Sequence, residues 1–208
     1  MTLLQPIPAQ SVPERSIPVL ETARLVLRAP RLADAGPIAT LLNDRRIAEN
    51  LARVPHPYTR ADAETFIASV NKKDGETSFV ITLPDGTIVG NCGVGRLLGI
   101  DPEIGYSIGV PYWGNGYATE SVRALLDHAF SDLGCERLEA GARVSNPASR
   151  RVLEKCGFQW TGVRLTRSRA LNSSVPADRF SLDRERWASL KGGTRATISA
   201  RASRALSP

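Results

Sequence analysis

One junction constrains this chain more than any other. An alternating run from Glu103 to Val110 leads into Pro111-Tyr112-Trp113 and then Gly114-Asn115-Gly116. Beyond it, Ala118, Val122, Leu125, Leu126, Ala129, Phe130 and Leu133 recur at helical spacing. A period of two gives way to a period of 3.6 across two glycines, so a strand must turn sharply into an amphipathic helix. Gly134 is placed to end that helix. A helix start leaves about four N–H groups unpaired and carries partial positive charge. Glycines there remove the Cβ atoms that would hold a phosphate away. The expected product is an anion nest suited to a pyrophosphate, running from Trp113 through Gly114, Asn115, Gly116, Tyr117 and Ala118 to Thr119. A plain strand-to-helix turn that needs small residues carries the same local signature.

Two common nucleotide motifs fail on spacing. A dinucleotide fingerprint needs GxGxxG opening a helix, with an acid about 20 residues later. Gly93-Val94-Gly95 lies inside a β-rich run and lacks the continuation, and no GK[ST] tripeptide occurs.

The rest of the chain alternates strand and helix signals. Ala23 to Ala29 puts Leu25 and Leu27 on one face. Asp34 is a candidate cap for a helix bearing Ile38, Leu41 and Leu42. Thr59 and Asp62 resemble a capping box before Phe66, Ile67 and Val70. Ser78 to Thr82 and Ile88 to Val94 flank the turn Pro84-Asp85-Gly86-Thr87 and read as a hairpin. Arg137 to Ala142 reads as a strand. Asn146, followed by Pro147, opens a helix that Gly157 ends. Phe158 to Leu165 and Arg179 to Leu182 read as the last strands, with a short helix through Trp187. Hairpins mixed with strand–helix–strand units imply an α+β sheet.

Composition narrows the chemistry. Cys92, Cys135 and Cys156 are odd in number and form no CxxC, which argues against disulfides and zinc and for a reducing compartment. They read as buried hydrophobes. His56 and His128 are the only histidines, so no metal is expected. The Pro-rich start is no signal peptide, and no apolar run reaches membrane-span length. Residues 1–20 read as a flexible Pro-rich arm, 21–190 as one domain and 191–208 as a basic tail. That tail carries four of the six net positive charges. A solvated tail on a near-neutral domain is the expected reading, so neither nucleic acid nor membrane is an expected partner.

Several ordered segments together resemble the GNAT acetyltransferase superfamily, in its RimJ/RimL-like branch. EIGYSIGVPYWGNGYATESVRALLDHAF resembles its coenzyme-binding strand, loop and helix. ERLEAGARVSNPASRRVLEKCGF resembles the next strand and helix. LETARLVLRAPRLADAG resembles the opening strand and DRFSLDRERW the closing one. The resemblance spans roughly residues 20 to 190. It implies a mixed sheet of about seven strands, splayed between the fourth and fifth and flanked by about four helices.

It also implies a cytoplasmic enzyme that moves an acetyl group from acetyl-CoA to a primary amine by direct attack. The amine would belong to a small molecule or to a ribosomal or other protein N-terminus, and a homodimer is compatible with this. Ile108, Gly109 and Val110 would line the pantetheine arm, residues 113–119 the pyrophosphate, and Asn146 the far side of the cleft. Pro111 and Trp113 stand where many members carry Arg or Gln, which shifts anion binding onto backbone N–H groups.

Ser149 matches the serine that RimL-like enzymes place near the sulfur. Leu153 stands where other members use a tyrosine. Glu103 is the candidate base, acting directly or through water. His56 and Tyr58 are candidate substrate-wall residues. Residues 45–60 and 164–178 are where the acceptor would be read. Arg164, Arg167 and Arg169 there suggest either an acidic substrate group or simple solubility. The alternative function is an acyl-CoA-binding module with little catalysis, and the missing tyrosine and uncertain base keep it open.

Overall fold

The structure is a computed structural model that describes residues 17–70, 76–95 and 101–192. Most of the Pro-rich arm and nearly all of the basic tail lie outside the described residues. Eight strands form one sheet in the order β1-β2-β3-β4-β5-β6-β8-β7. They are β1 (Leu20–Glu21), β2 (Val26–Arg28), β3 (Thr77–Thr82), β4 (Ile88–Gly95), β5 (Glu103–Ile108), β6 (Arg137–Arg143), β7 (Gln159–Ser168) and β8 (Ser173–Asp183). The α-helices are α1 (Ala35–Leu42), α2 (Arg45–Ala48), α3 (Arg60–Val70), α4 (Tyr117–Asp127) and α5 (Pro147–Lys155). A further helix covers residues 184–192. Among the described residues, no helix is long and apolar enough to cross a membrane.

Alternation along β3 builds both layers. Phe79 and Ile81 enter a core under α4 and α5 with Val122, Leu125, Phe130 and Leu153. Val80 points the other way, into a smaller core with Ile38, Leu42, Tyr58 and Ile67 from α1, α3 and the loop between.

The expected capping box forms. The Thr59 N–H donates to the Asp62 carboxylate at 2.8 Å, and the Asp62 N–H donates to Thr59 Oγ1 at 3.2 Å. Asn146 Oδ1 accepts from the Ser149 N–H at 3.1 Å and so caps α5. Asp34 is a correction: its side chain does not cap α1. It accepts from both terminal nitrogens of Arg28, at 2.7 and 2.9 Å, and from the Arg31 N–H. Burial raises its pKa, but these donors outweigh that and leave it below the usual carboxylate range.

Among the described residues the sheet has one parallel pairing, and it is brief. β5 meets β6 only through Glu103↔Glu139 and Ile104↔Ala140. Beyond that point the two strands part, so the sheet opens into a V toward Ile108 and Arg143. The other correction concerns the last hairpin. β7 and β8 pair over their whole length, from Gln159↔Ser181 to Ser168↔Ser173. Residues 166–168 and 173–178 are thus strand as well, beyond the expected runs Phe158 to Leu165 and Arg179 to Leu182. Most of β7 is exposed on both faces, so no burial pattern marks it.

Candidate active site

The V leads into a cavity of about 800 Å³. Its lining includes the ends of β4 and β5, the 112–119 loop, the start of α5, the 49–55 loop, α3 and the tip of the β7–β8 hairpin. Residues far apart in sequence therefore share one space.

Backbone geometry builds the loop end. Gly114 and Gly116 both take φ of 80°, a left-handed conformation that side chains resist. The Asn115 side chain donates to the Tyr112 carbonyl at 3.1 Å and pins the turn. The first bond into α4 runs from the Glu120 N–H to the Gly116 carbonyl at 3.1 Å. The N–H groups of Tyr117, Ala118 and Thr119 have no protein acceptor among the described residues.

Trp113 explains its own presence. Its indole N–H donates to the Ile108 carbonyl at 2.7 Å and ties the loop to the end of β5. The Gly109 N–H donates to the Val89 carbonyl at 2.8 Å. A side chain at position 109 would strike Leu41 at 2.5 Å, so glycine lets α1 back the strand end. Of the expected pantetheine-facing groups, Val110 keeps its N–H without a protein partner among the described residues.

Sequence reasoning missed Arg24. From the β1–β2 turn it pairs with Glu120 at 2.6 Å, donates to the Asn115 carbonyl at 3.0 Å and covers the Tyr117 ring at 5.0 Å. A guanidinium does stand beside the glycine loop, supplied from a segment over ninety residues away. No local motif marks it.

Tyr106 was also missed. Its hydroxyl lies 2.8 Å from Ser149 Oγ and 3.1 Å from the Ser149 carbonyl, and either hydroxyl can donate to the other. Burial pushes the phenol pKa up to about 12, so it stays protonated at neutral pH. Leu153 is fully buried in the core.

Glu103 is placed otherwise than a free base would be. Arg179 reaches from β8 across Gly141 and holds both Glu103 oxygens, at 2.9 and 3.1 Å. The same guanidinium bonds Glu139 at 2.7 Å. A Cβ at position 141 would lie 2.8 Å from Arg179, so glycine makes room for this bridge. Burial opposes the Arg179 charge, but the two glutamates outweigh it and raise its pKa. The cluster ties β5, β6 and β8 together where the V closes. Glu103 shares a strand face with Gly105 and Ser107, and Tyr106 lies on the other face with α5. Glu103 and Ser149 thus line the same cavity from different faces of β5, with no direct contact between them.

Tyr58 is buried and lines the cavity, whereas His56 is exposed and does not. Cys92 and Cys156 are buried, and burial pushes both thiols up, Cys156 to about 11. His128 is buried against Phe79 and bonds Asp132 at 2.7 Å. Trp160 donates to Asp178 at 2.8 Å.

The acetyltransferase (GNAT) domain family profile matches residues 24–159. The chain belongs to the GNAT acetyltransferase family. It is 28% identical over 178 residues to the uncharacterized N-acetyltransferase p20 of Bacillus licheniformis, covering 81% of this chain and 98% of that one. The spermidine N-acetyltransferase of Vibrio cholerae, solved with CoA and spermine, superposes with a TM-score of 0.69. That match has 21% identity and covers 80% of this chain and 99% of that one. RimJ of Mycobacterium smegmatis, solved with CoA-disulfide, gives 0.67 at 22% identity over 77% of this chain and 82% of that one. GNAT acetyltransferases use acetyl-CoA as acyl donor, and this chain is a GNAT-family N-acetyltransferase.

Proposed function

We propose that acetyl-CoA lies in the V between β5 and β6 and that a primary amine, on a protein N-terminus or a small molecule, takes its acetyl group by direct attack. The donor supplies an activated thioester; the chain supplies position, charge and proton movement. The observation that carries this reading is the brief β5–β6 pairing, which opens one cavity between a helix start with free N–H groups and a hydroxyl pair at Tyr106–Ser149. The residues fit the donor. Unpaired N–H groups of residues 117–119 suit phosphate oxygens, with Gly114, Asn115 and Gly116 shaping the turn and Arg24 beside it. The strand end from Ile108 to Val110 and the α5 start at Asn146 would flank the arm.

In this reading, Tyr106 donates to Ser149 Oγ. That leaves the serine proton free to serve the departing sulfur. The Val110 N–H is the candidate donor to charge developing on the acyl oxygen. The bridge to Arg179 makes Glu103 a brace for the V, and solvent in the open cavity accepts the amine proton. The acceptor, a cytoplasmic setting and any self-association are parts of the same proposal.

One observation favours a second reading, an acyl-CoA-binding module with little turnover: the Glu103 carboxylate is fully engaged. Incubation with acetyl-CoA and an amine panel, following free thiol, separates the two. Amine-dependent thiol release supports transfer. Coenzyme binding without release on any amine supports the module.

A further inference from the structure

The cavity wall away from the glycine loop is made of side chains, and their charges do not balance. The carboxylates on it are already engaged. Glu49 is paired with Arg45 at 2.5 Å. Asp62 accepts from Thr59 and feels Arg169. Glu76 faces Arg53 at 3.9 Å, and Glu103 is held by Arg179.

The cations are not matched in the same way. Arg143, at the end of β6, donates to the Glu49 carbonyl at 2.9 Å, and its buried Nε has no partner among the described residues. Arg167, near the tip of β7, donates at 2.5 Å to the neutral side chain of Asn172. Arg169 donates at 3.3 Å to the Arg53 carbonyl. Between those two arginines, Ser168 is 2% exposed, and its Oγ has no hydrogen-bond partner among the described residues. Arg143, Arg167, Ser168 and Arg169 all line the cavity.

Buried polar groups normally find partners, and an unmet one costs free energy. Guanidinium prefers a planar or tetrahedral oxyanion, which it binds through paired N–H groups. We infer that the acceptor carries an anionic group, a carboxylate or a phosphate, beside its reactive amine, and that Arg143 and Arg167 with the Ser168 hydroxyl receive it. The inference rests on the acetyl-transfer reading and narrows its substrate class. A polyamine, positive along its length, would meet this wall with like charge.

The test uses the full chain, acetyl-CoA and four acceptors: ethylamine, β-alanine, 2-aminoethyl phosphate and spermidine. Thiol release gives kcat/KM for each. At least one anionic acceptor should exceed ethylamine and spermidine by about tenfold or more, the scale of one charge-assisted hydrogen bond. Which of β-alanine and 2-aminoethyl phosphate is faster decides between carboxylate and phosphate. Arg167 is exposed, so Arg167→Met should fold normally. It should shrink the anionic-to-ethylamine ratio about tenfold, through KM rather than kcat. Arg143→Met should act in the same direction, with CoA affinity unchanged as the check on folding.

Ethylamine or spermidine equal to the best anionic acceptor overturns the inference and leaves acetyl transfer standing. An unchanged ratio in Arg167→Met overturns the assignment of the anion site. Coenzyme binding with no thiol release from any amine overturns the transfer reading and the inference with it.

Discussion

The two ends of the cavity are built in opposite ways. The loop end is backbone: two left-handed glycines, a helix start and an indole that pins a carbonyl. The far end is side chain: arginines from β6 and β7, and acids from α3, from just after α2 and from just before β3. Backbone sites tolerate little change, because their geometry depends on glycine and on the register of the strand before them. Side-chain sites can be rewritten residue by residue without disturbing the fold. A shared donor with diverse acceptors is what this division permits.

The largest expected effect lies on the seam between the two ends. Glu103→Gln removes half the Arg179 bridge but leaves Glu139, so it should cost about 3 kcal/mol of stability, the low end for a broken buried pair. Chemical denaturation measures it. Turnover per folded molecule should fall less than about tenfold, whereas loss of a true general base costs a hundredfold or more. A large turnover loss with intact stability would restore Glu103 as the base.

Ser149→Ala comes next. Turnover should fall by about a hundredfold with CoA affinity unchanged, the lower range for a lost proton donor. Single-turnover rates and CoA titration read the two parts. Tyr106, with its pKa raised to about 12, remains protonated through the neutral range. In wild type the pH–rate profile should therefore follow the acceptor amine, shifting when an amine of different pKa is used.

A smaller effect is expected at Gly105, the first β5 residue past the last parallel pair. A Cβ there meets nothing within 4 Å, and its backbone is not left-handed. Gly105→Val should keep the melting temperature, yet lower kcat/KM about tenfold by filling the cavity floor, within the usual cost of overpacking. Trp113→Phe is the mildest. It keeps the ring and loses the bond to the Ile108 carbonyl, about 1 kcal/mol in CoA affinity.

The same contrast explains what the sequence could tell. The glycine turn, the caps at Thr59 and Asn146 and the stripe on α4 were legible because each is a local pattern with a local cause. The β7–β8 hairpin was not legible past Leu165, because an edge strand exposed on both faces shows no alternation. Arg24 and Tyr106 escaped because their partners lie 91 and 43 residues away. Glu103 lines the cavity, but its engagement by Arg179 depends on Gly141 of a neighbouring strand. Pairings across a sheet are written in the topology, and no single segment displays them.

In the proposed function, the glycine turn into α4 holds the donor. Calorimetric titration of CoA into wild type and Gly116→Val tests it most directly. Valine is strained at φ of 80°, and its Cβ would sit 3.4 Å from Arg24, so the nest cannot keep its shape. Affinity should fall by about thirtyfold or more, the equivalent of a 2 kcal/mol backbone penalty, while the melting temperature changes little. Wild-type CoA affinity in a folded Gly116→Val protein would contradict the account.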